Sequence, residues 1–177
     1  MEITRAYVKS ILPHRDPEGH KGTFGKVYCL CGAVGYTGAP VLAASAAVRS
    51  GSGLVFLGVP KDIWPIVAVK CDSAMPSPLP SQQGKLALAA EDAVRAQIDG
   101  CDAVLIGCGM GRSEESDALT RRLIDMDKPL VLDADGINAF EPHIPEIKRR
   151  QGKVTVMTPH EGEFFRAGGD LCRGGAS

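Results

Sequence analysis

Two glycine-bearing segments could place backbone N–H groups around a phosphate-bearing ligand. The first, GCGMG at 107–111, follows an apolar run, and the second, GAP at 38–40, opens a run of small residues. Glycine lets the backbone approach a ligand closely, and successive N–H groups can surround an anion. The first segment lacks the G-x-G-x-x-G spacing of dinucleotide sites and the Gly-Lys-Ser/Thr ending of a P-loop. A tight turn from strand to helix would explain the first segment without a ligand. Close packing of a helix on the sheet would explain the second, and a ligand site there does not exclude it.

Two carboxylates, Asp133 and Asp135, come directly after the apolar run 130–132. Carboxylates at the end of a strand can bind Mg²⁺ or a ribose hydroxyl. The alternative is that Asp135 caps a short helix that begins at Gly136. The residue types and spacing leave both interpretations open.

His160 follows Pro159 just beyond the apolar run 154–157. This polar position beyond a predicted strand favours contact with a ligand over a purely structural role. The sequence HEGE at 160–163 is not the H-E-x-x-H motif, which argues against a zinc site.

The segment HKGTFGK at 20–26 precedes the first apolar run. Its Lys21 or Thr23 could reach a phosphate, although a solvated loop explains the segment as well. His14 and His143 lie in polar, proline-flanked stretches, and we predict that both are surface residues.

Apolar runs alternate with helical patterns along the chain. Such continuous runs are typical of a mostly parallel sheet covered on both faces, the arrangement of an α/β protein. Ligands bind such sheets beyond the carboxyl ends of the strands, which is where the segments above lie. Residues 61–70 indicate a short helix broken near Pro65 and then a strand, and 72–84, with three prolines, a loop. The remaining pattern predicts strands at 27–31, 54–57, 103–106, 130–132 and 154–157, and helices at 38–49, 85–98 and 114–125.

The chain has 177 residues, of which 44% are hydrophobic, and its formal net charge is −1. The apolar content excludes a disordered chain, and the length suits one domain. The near-neutral charge argues against nucleic-acid binding or a basic membrane surface. The start, MEITRAYVKS, has no apolar stretch typical of a secretory signal, and the apolar run 39–48 is far shorter than the roughly 20 residues that cross a bilayer. We therefore expect a cytoplasmic protein.

The six cysteines fit neither a zinc-binding pattern nor a disulfide scaffold. Cys29 and Cys31 alternate within a strand-like run, which indicates buried, reduced thiols rather than thiol chemistry. The six are Cys29, Cys31, Cys71, Cys101, Cys108 and Cys172.

Five segments in order resemble the ADP- or ATP-dependent NAD(P)H-hydrate dehydratases, the YjeF C-terminal domain family. The resemblance covers about 20–169 and implies a ribokinase-like fold, a three-layer α/β/α sandwich with a mostly parallel sheet. The segments are HKGTFGKV, GYTGAPVLAASAAVRSGSGLV, LIGCGMGR, LVLDADGIN and VTVMTPHEGEFFRAGG.

The resemblance implies a lyase that repairs damaged nicotinamide cofactors. Water added to the ring of NADH or NADPH leaves a hydroxyl group, which the family phosphorylates with ADP or ATP and Mg²⁺. Phosphate then leaves in place of hydroxide, which is a poor leaving group, and NAD(P)H is restored. The resemblance also implies a homo-oligomer, commonly a tetramer, that acts on this small dinucleotide substrate.

Three substrate-binding positions carry over by matching the family's motifs: Ala39, Gly109 and His160. Many members have proline where this chain has Cys108, a change that implies a looser turn. Many also have proline where this chain has Glu161, whose charge implies a modest loss of affinity.

The family's Gly-Thr-Gly-Asp segment, which supplies the catalytic Asp and binds nucleotide phosphates, has no match in this sequence. We therefore expect residues 1–177 to form a partial domain, incomplete at the C-terminus, with no catalytic residue, little or no activity, an unpaired sheet edge and an uncovered apolar face. One alternative is a non-catalytic module that binds the hydrate or another dinucleotide. Another is a ribokinase-like small-molecule kinase, although TPHEGEF and HKGTFG favour the dehydratase.

Overall fold

The computed structural model describes residues 2–12, 15–141 and 143–169. A six-stranded sheet of parallel strands runs through this part of the chain, in the order β3-β2-β1-β6-β7-β8. A short antiparallel pair, β4 with β5, lies beside it. The strands are β1 (Lys26–Leu30), β2 (Leu54–Pro60), β3 (Met75–Leu79), β4 (Ser81–Gln82), β5 (Lys85–Leu86), β6 (Ala103–Ile106), β7 (Leu130–Leu132) and β8 (Thr155–Met157).

Helices connect the strands. The α-helices are α1 (Arg5–Ile11), α2 (Gly38–Arg49), α3 (Trp64–Lys70), α4 (Glu91–Asp99), α5 (Glu114–Leu123), α6 (Asp135–Asn138) and α7 (Glu161–Arg166). Three 3₁₀ segments complete the described elements: Lys21–Phe24, Leu88–Ala90 and Ile144–Arg150.

The central strand β1 shows why the sheet is covered on both faces. Tyr28 and Leu30 belong to a core that also contains residues of α4, α5 and α6, whereas Cys29 and Cys31 belong to a second core with residues of α2 and α3. Successive side chains of a strand point to opposite faces, so a strand that is apolar throughout needs helices on both sides. The three-layer α/β arrangement is confirmed.

The predicted segments 38–49, 103–106 and 130–132 have the bounds of α2, β6 and β7. Strands β1, β2 and β8 lie where strands were predicted, with small differences at their ends. The predicted helix 114–125 is two residues shorter, as α5.

The loop prediction for 72–84 is wrong, because this segment contains the edge strand β3. Pro76 and Pro78 lie in register with Leu57 and Val59 of β2. Proline cannot donate to a strand ladder, so it is tolerated where one side of the strand has no partner strand. Within the described residues β3 pairs only with β2.

Two further predictions, those for residues 61–70 and 85–98, need correction. Residues 61–70 contain no strand, and Pro65 lies in the first turn of α3, where its missing N–H costs little. The predicted helix 85–98 is instead the strand β5, a 3₁₀ turn and the shorter helix α4.

Strand β8 forms the other edge of the sheet and pairs, within the described residues, with β7 alone. Val154 and Val156 are 66% and 49% exposed. An open apolar groove of about 1090 Å³ runs beside the strand and is lined by residues that include Ile147, Met157 and Phe164. The described part of the chain therefore has the open edge and uncovered apolar face that we expect from the sequence. Of the helices that the structure describes, none is long and apolar enough to cross a membrane.

Candidate functional site

The parallel sheet brings four loops together at the carboxyl edge of its strands. The loops follow β1, β6, β7 and β8, which are neighbours in the sheet. Two hydrogen bonds join them laterally: the Gly32 amide donates to the Cys108 carbonyl at 3.0 Å, and the Thr158 hydroxyl donates to Asp133 at 2.8 Å. Every predicted site residue except Lys21 and Thr23 lies in this row or at its border.

Ala39 and Gly109, two of the three predicted substrate-binding residues, are in direct contact. A Cβ atom built on Gly109 would lie 2.7 Å from the Cβ of Ala39 and 3.1 Å from that of Tyr36. The φ of Gly109 is +62°, which disfavours any other residue. Glycine is therefore required at 109 both by its backbone conformation and by the close approach of α2.

The turn at 107–111 presents backbone donors to the site. Met110 donates its amide to the Gly107 carbonyl, and Gly111 donates to Oδ2 of Asp135 at 2.8 Å. The Gly109 amide donates to no acceptor within the described part of the chain, whereas the Cys108 amide faces the buried thiol of Cys31. The Gly109 N–H can therefore bind an anionic oxygen.

The beginning of α2 contributes fewer donors than expected. Ala39 donates its amide to the Tyr36 carbonyl at 3.3 Å, and Pro40, the next residue, has no N–H. The start of the helix therefore presents the small side chain of Ala39 and the Gly38 amide, which has no acceptor among the described residues.

The interpretation of Asp135 as a helix cap is wrong. The N-cap of α6 is Ala134, which makes no side-chain capping bond, and Asp135 is the first residue of the helix. Its carboxylate accepts the Gly111 amide instead. Asp133, its predicted partner, accepts from Thr158. Each carboxylate thus has a separate protein donor on one oxygen, and a contact of either with Mg²⁺ or a ribose hydroxyl stays a prediction.

His160 lies at the same edge of the sheet but away from the Ala39–Gly109 contact. It follows β8, two strands from β6, and a neighbouring strand is about 4.8 Å away, so the two loops start roughly 10 Å apart. His160 Nδ1 accepts hydrogen bonds from the amides of Gly162 and Glu163, and the Glu163 carboxylate accepts from the His160 amide. This capping box gives the residue a structural role, and 67% of its side chain is exposed beyond it.

The structure places Lys21 and Thr23 outside the site. Their 3₁₀ turn precedes β1, at the amino end of the strands, where Phe24 accepts from the Gly53 amide. Five strand residues, or about 16 Å, separate this turn from the carboxyl edge. The Thr23 hydroxyl accepts from the amide of His20. Neither side chain therefore reaches the glycine turn of the same copy of the chain, and contact of Lys21 or Thr23 with a phosphate elsewhere stays a prediction.

Some of the other histidine and cysteine predictions can be compared with the structure. His143 is exposed beside Glu146, whereas His14 and Cys172 lie outside the described residues. Cys29, Cys31 and Cys101 are buried free thiols, as predicted, while Cys71 and Cys108 are partly exposed.

The thiols next to the turn are protonated near neutral pH. Burial raises the pKa of Cys29 to about 12. A hydrogen bond to Cys108, together with burial, raises the pKa of the Cys31 thiol well above its ordinary value. Because the thiolate is the nucleophilic form, neither group is suited to nucleophilic chemistry.

Four charged side chains that the motifs did not single out form contacts near the end of the turn. Lys85 Nζ donates to the Arg112 carbonyl at 2.7 Å. Arg112 pairs with Glu141 at 3.3 Å, and Glu141 also faces Arg166 at 3.7 Å. An Arg directly after a glycine turn is the one local signal of this network, because its partners come from distant segments.

The comparison with known proteins gives a consistent family. A family model described as NAD(P)H-hydrate dehydratase matches residues 27–175. A bifunctional NAD(P)H-hydrate repair enzyme of Salinibacter ruber is 41% identical over 172 residues, which are 96% of this chain and 32% of that protein. The ADP-dependent (S)-NAD(P)H-hydrate dehydratase of Bacillus subtilis is 32% identical, over 94% of this chain and 55% of its own length.

Solved structures agree with this assignment. The ADP/ATP-dependent NAD(P)H-hydrate dehydratase of Bacillus subtilis, co-crystallised with ATP and Mg²⁺, superposes with a TM-score of 0.70 at 30% identity, covering 93% of this chain and 54% of that chain. A ribokinase-like superfamily protein from Enterococcus faecalis, 20% identical, superposes with a TM-score of 0.75 over 93% of this chain and 55% of that one, which supports the fold alone. The chain thus spans between a third and just over half of these relatives. The match over most of its length shows that the chain belongs to the NAD(P)H-hydrate dehydratase family.

Proposed function

We propose that this chain provides the NAD(P)H-hydrate side of a dehydratase site. The observation that carries the proposal is the contact between Ala39 and Gly109, where the Gly109 amide has no protein acceptor within the described residues. Small residues beside a free N–H donor suit a dinucleotide, whose phosphate oxygens accept hydrogen bonds.

The phosphoryl donor is ADP or ATP in this proposal, as the names of the relatives suggest. The described residues contain no group of three or more His, Cys, Asp or Glu side chains that could hold a metal ion. Asp133 and Asp135 are each engaged by a protein donor. Mg²⁺ that binds with a nucleotide usually takes only one or two protein carboxylates beside the phosphate oxygens and water, so a large protein cluster is not required. We assign none of the described residues to it.

These residues contribute binding and orientation to the reaction. Neither Asp133 nor Asp135 lies in a glycine anion site of the Gly-Thr-Gly-Asp type, which the resemblance assigns to the catalytic Asp. We therefore propose that residues 1–177 on their own bind the hydrate without converting it. We further propose a homo-oligomer, which the family resemblance implies, and the cytoplasmic location expected from the sequence.

Two assays on the purified chain test this proposal. Isothermal titration with NADPH hydrate is expected to show saturable binding, and absence of binding by folded protein would contradict the assigned site. The second assay supplies NADPH hydrate, ADP and Mg²⁺ and follows the reduced-nicotinamide absorbance. We expect no recovery above a protein-free control, and recovery would show that some group in these residues replaces the missing Asp.

A further inference from the structure

The turn that carries the free Gly109 amide is held from one side by a single carboxylate. Asp135 Oδ2 accepts the Gly111 amide at 2.8 Å, in a partly buried contact between segments 24 positions apart. Gly111 ends the turn, and its φ is +65°. A charged acceptor forms a stronger hydrogen bond than a neutral one, so this contact fixes the end of the turn firmly.

The residue before Asp135 has a strained backbone conformation. Ala134 has φ +47° and ψ −114°, and among the described residues only Gln83 is another non-glycine residue with positive φ. Such a conformation costs about 1–3 kcal/mol and persists only where its surroundings enforce it. The segment before α6 also packs closely against the glycine turn: a Cβ atom added at Gly107 would lie 1.8 Å from the Asp133 carbonyl oxygen.

We propose that Asp135 is a positioning residue for the hydrate site. Its carboxylate holds the Gly111 amide, which keeps the turn in the conformation that leaves the Gly109 amide without a protein acceptor among the described residues. The proposal rests on the proposed function, because it is the dinucleotide that would use this donor. Asp135 itself is not assigned a contact with the ligand.

Variants that remove the charge of Asp135 distinguish the positioning role from simple repulsion between its carboxylate and an anionic ligand. A carboxylate near an anionic ligand weakens binding by repulsion, so its removal alone would strengthen binding. The positioning role predicts the opposite result for Asp135→Ala, which loses both the charge and the acceptor. Asp135→Asn loses the charge and keeps a side-chain oxygen that can accept the Gly111 amide.

The test combines two measurements on the full chain. Amide hydrogen exchange at Gly111 reports the hydrogen bond without any ligand, and isothermal titration with NADPH hydrate reports binding. For Asp135→Ala we expect Gly111 exchange at least tenfold faster and binding about tenfold weaker, as the loss of a charge-assisted hydrogen bond implies. For Asp135→Asn we expect both quantities within about threefold of the parent. Asp92→Asn, at an exposed position of α4, is the matched control and should change neither.

Each outcome separates this inference from the proposed function. If Asp135→Ala and Asp135→Asn both bind the hydrate more tightly, or if Gly111 exchange in Asp135→Ala equals the parent rate, the positioning role is wrong. If the parent does not bind the hydrate while Asp135→Ala loosens Gly111, the proposed function fails and the role in holding the turn stands. If Asp135→Ala does not fold, Asp135→Glu decides: it keeps the charge but displaces the carboxylate, so Gly111 exchange should accelerate, and an unchanged rate would overturn the inference.

Discussion

A Cβ atom at Gly109 would lie 2.7 Å from the Cβ of Ala39, so the turn after β6 and the start of α2 are in close contact. No larger residue fits at 109 without displacing α2. The same contact places the free Gly109 amide beside the start of the helix.

Gly109→Ala is expected to destabilise the protein and to weaken hydrate binding. The new methyl group meets Ala39, and the positive φ adds a cost of about 1 kcal/mol. We expect a loss of about 2 kcal/mol in the free energy of unfolding, measured with urea. Gly152→Ala is the matched control, because Gly152 has φ +83° and nothing within 4 Å of the added Cβ, so only the cost of its backbone conformation should appear. The double variant Ala39→Gly/Gly109→Ala should recover part of the loss, and strict additivity would show that the two residues do not interact.

Ala134→Gly is expected to stabilise the fold. Glycine adopts the φ of +47° without the steric cost that alanine bears, although it also gives the unfolded chain more freedom. The net gain should be about 1 kcal/mol, visible as a higher midpoint of urea unfolding with an unchanged slope. A lower midpoint would show that the Ala134 backbone is not strained.

Arg150→Leu is expected to cost about 3 kcal/mol or more of stability. Arg150 is 3% exposed, and its guanidinium donates to four carbonyls and one hydroxyl, which would all lose this partner. Arg149→Leu is the control, because Arg149 has an exposed side chain paired with Asp125 at 3.3 Å and should cost less than about 1 kcal/mol. Equal losses in the two variants, measured by urea unfolding, would contradict the structural role of Arg150.

Stability is expected to fall as the pH rises above about 9. Burial raises the pKa of Cys29 from 9.0 to about 12, so the thiol ionises in the unfolded chain before it does in the folded one. The contribution is therefore complete below pH 9 and is lost progressively between pH 9 and 12, at about 1.4 kcal/mol per pH unit for this one group. Burial also raises the pKa of Tyr28, which steepens the loss at the upper end of the range. Unfolding free energies at pH 8, 9, 10 and 11 should show a shallower fall for Cys29→Ala than for the parent, and parallel curves would contradict this assignment.

The sequence predicts those parts of the fold that depend on local pattern. α2 begins with small residues, has Pro40 in its first turn and is followed by glycines, and its predicted bounds are the observed ones. The central strands are continuous apolar runs because both of their faces are buried. β3 was missed because its prolines indicate a loop, and only its position at the edge of the sheet makes them acceptable.

The candidate site was predicted in its composition but not in its contacts. Ala39 and Gly109 could be named from their motifs, and their contact follows from the neighbouring positions of β1 and β6. The bond from Gly111 to Asp135 spans 24 residues and depends on the backbone of Ala134, which no pattern in the sequence reveals. The sequence does contain a signal for the capping role of His160, because Glu163, three residues later, is the usual partner in such a cap.

The most direct test of the central claim is amide hydrogen exchange across the whole chain, with and without NADPH hydrate. The account predicts that the Gly109 amide gains protection in the presence of the hydrate, while those of Lys21 and Thr23, at the opposite edge of the sheet, exchange at the same rate. Protection confined to residues 21–24, or no change at 109 under conditions where binding is measured by titration, would contradict the assignment of the site.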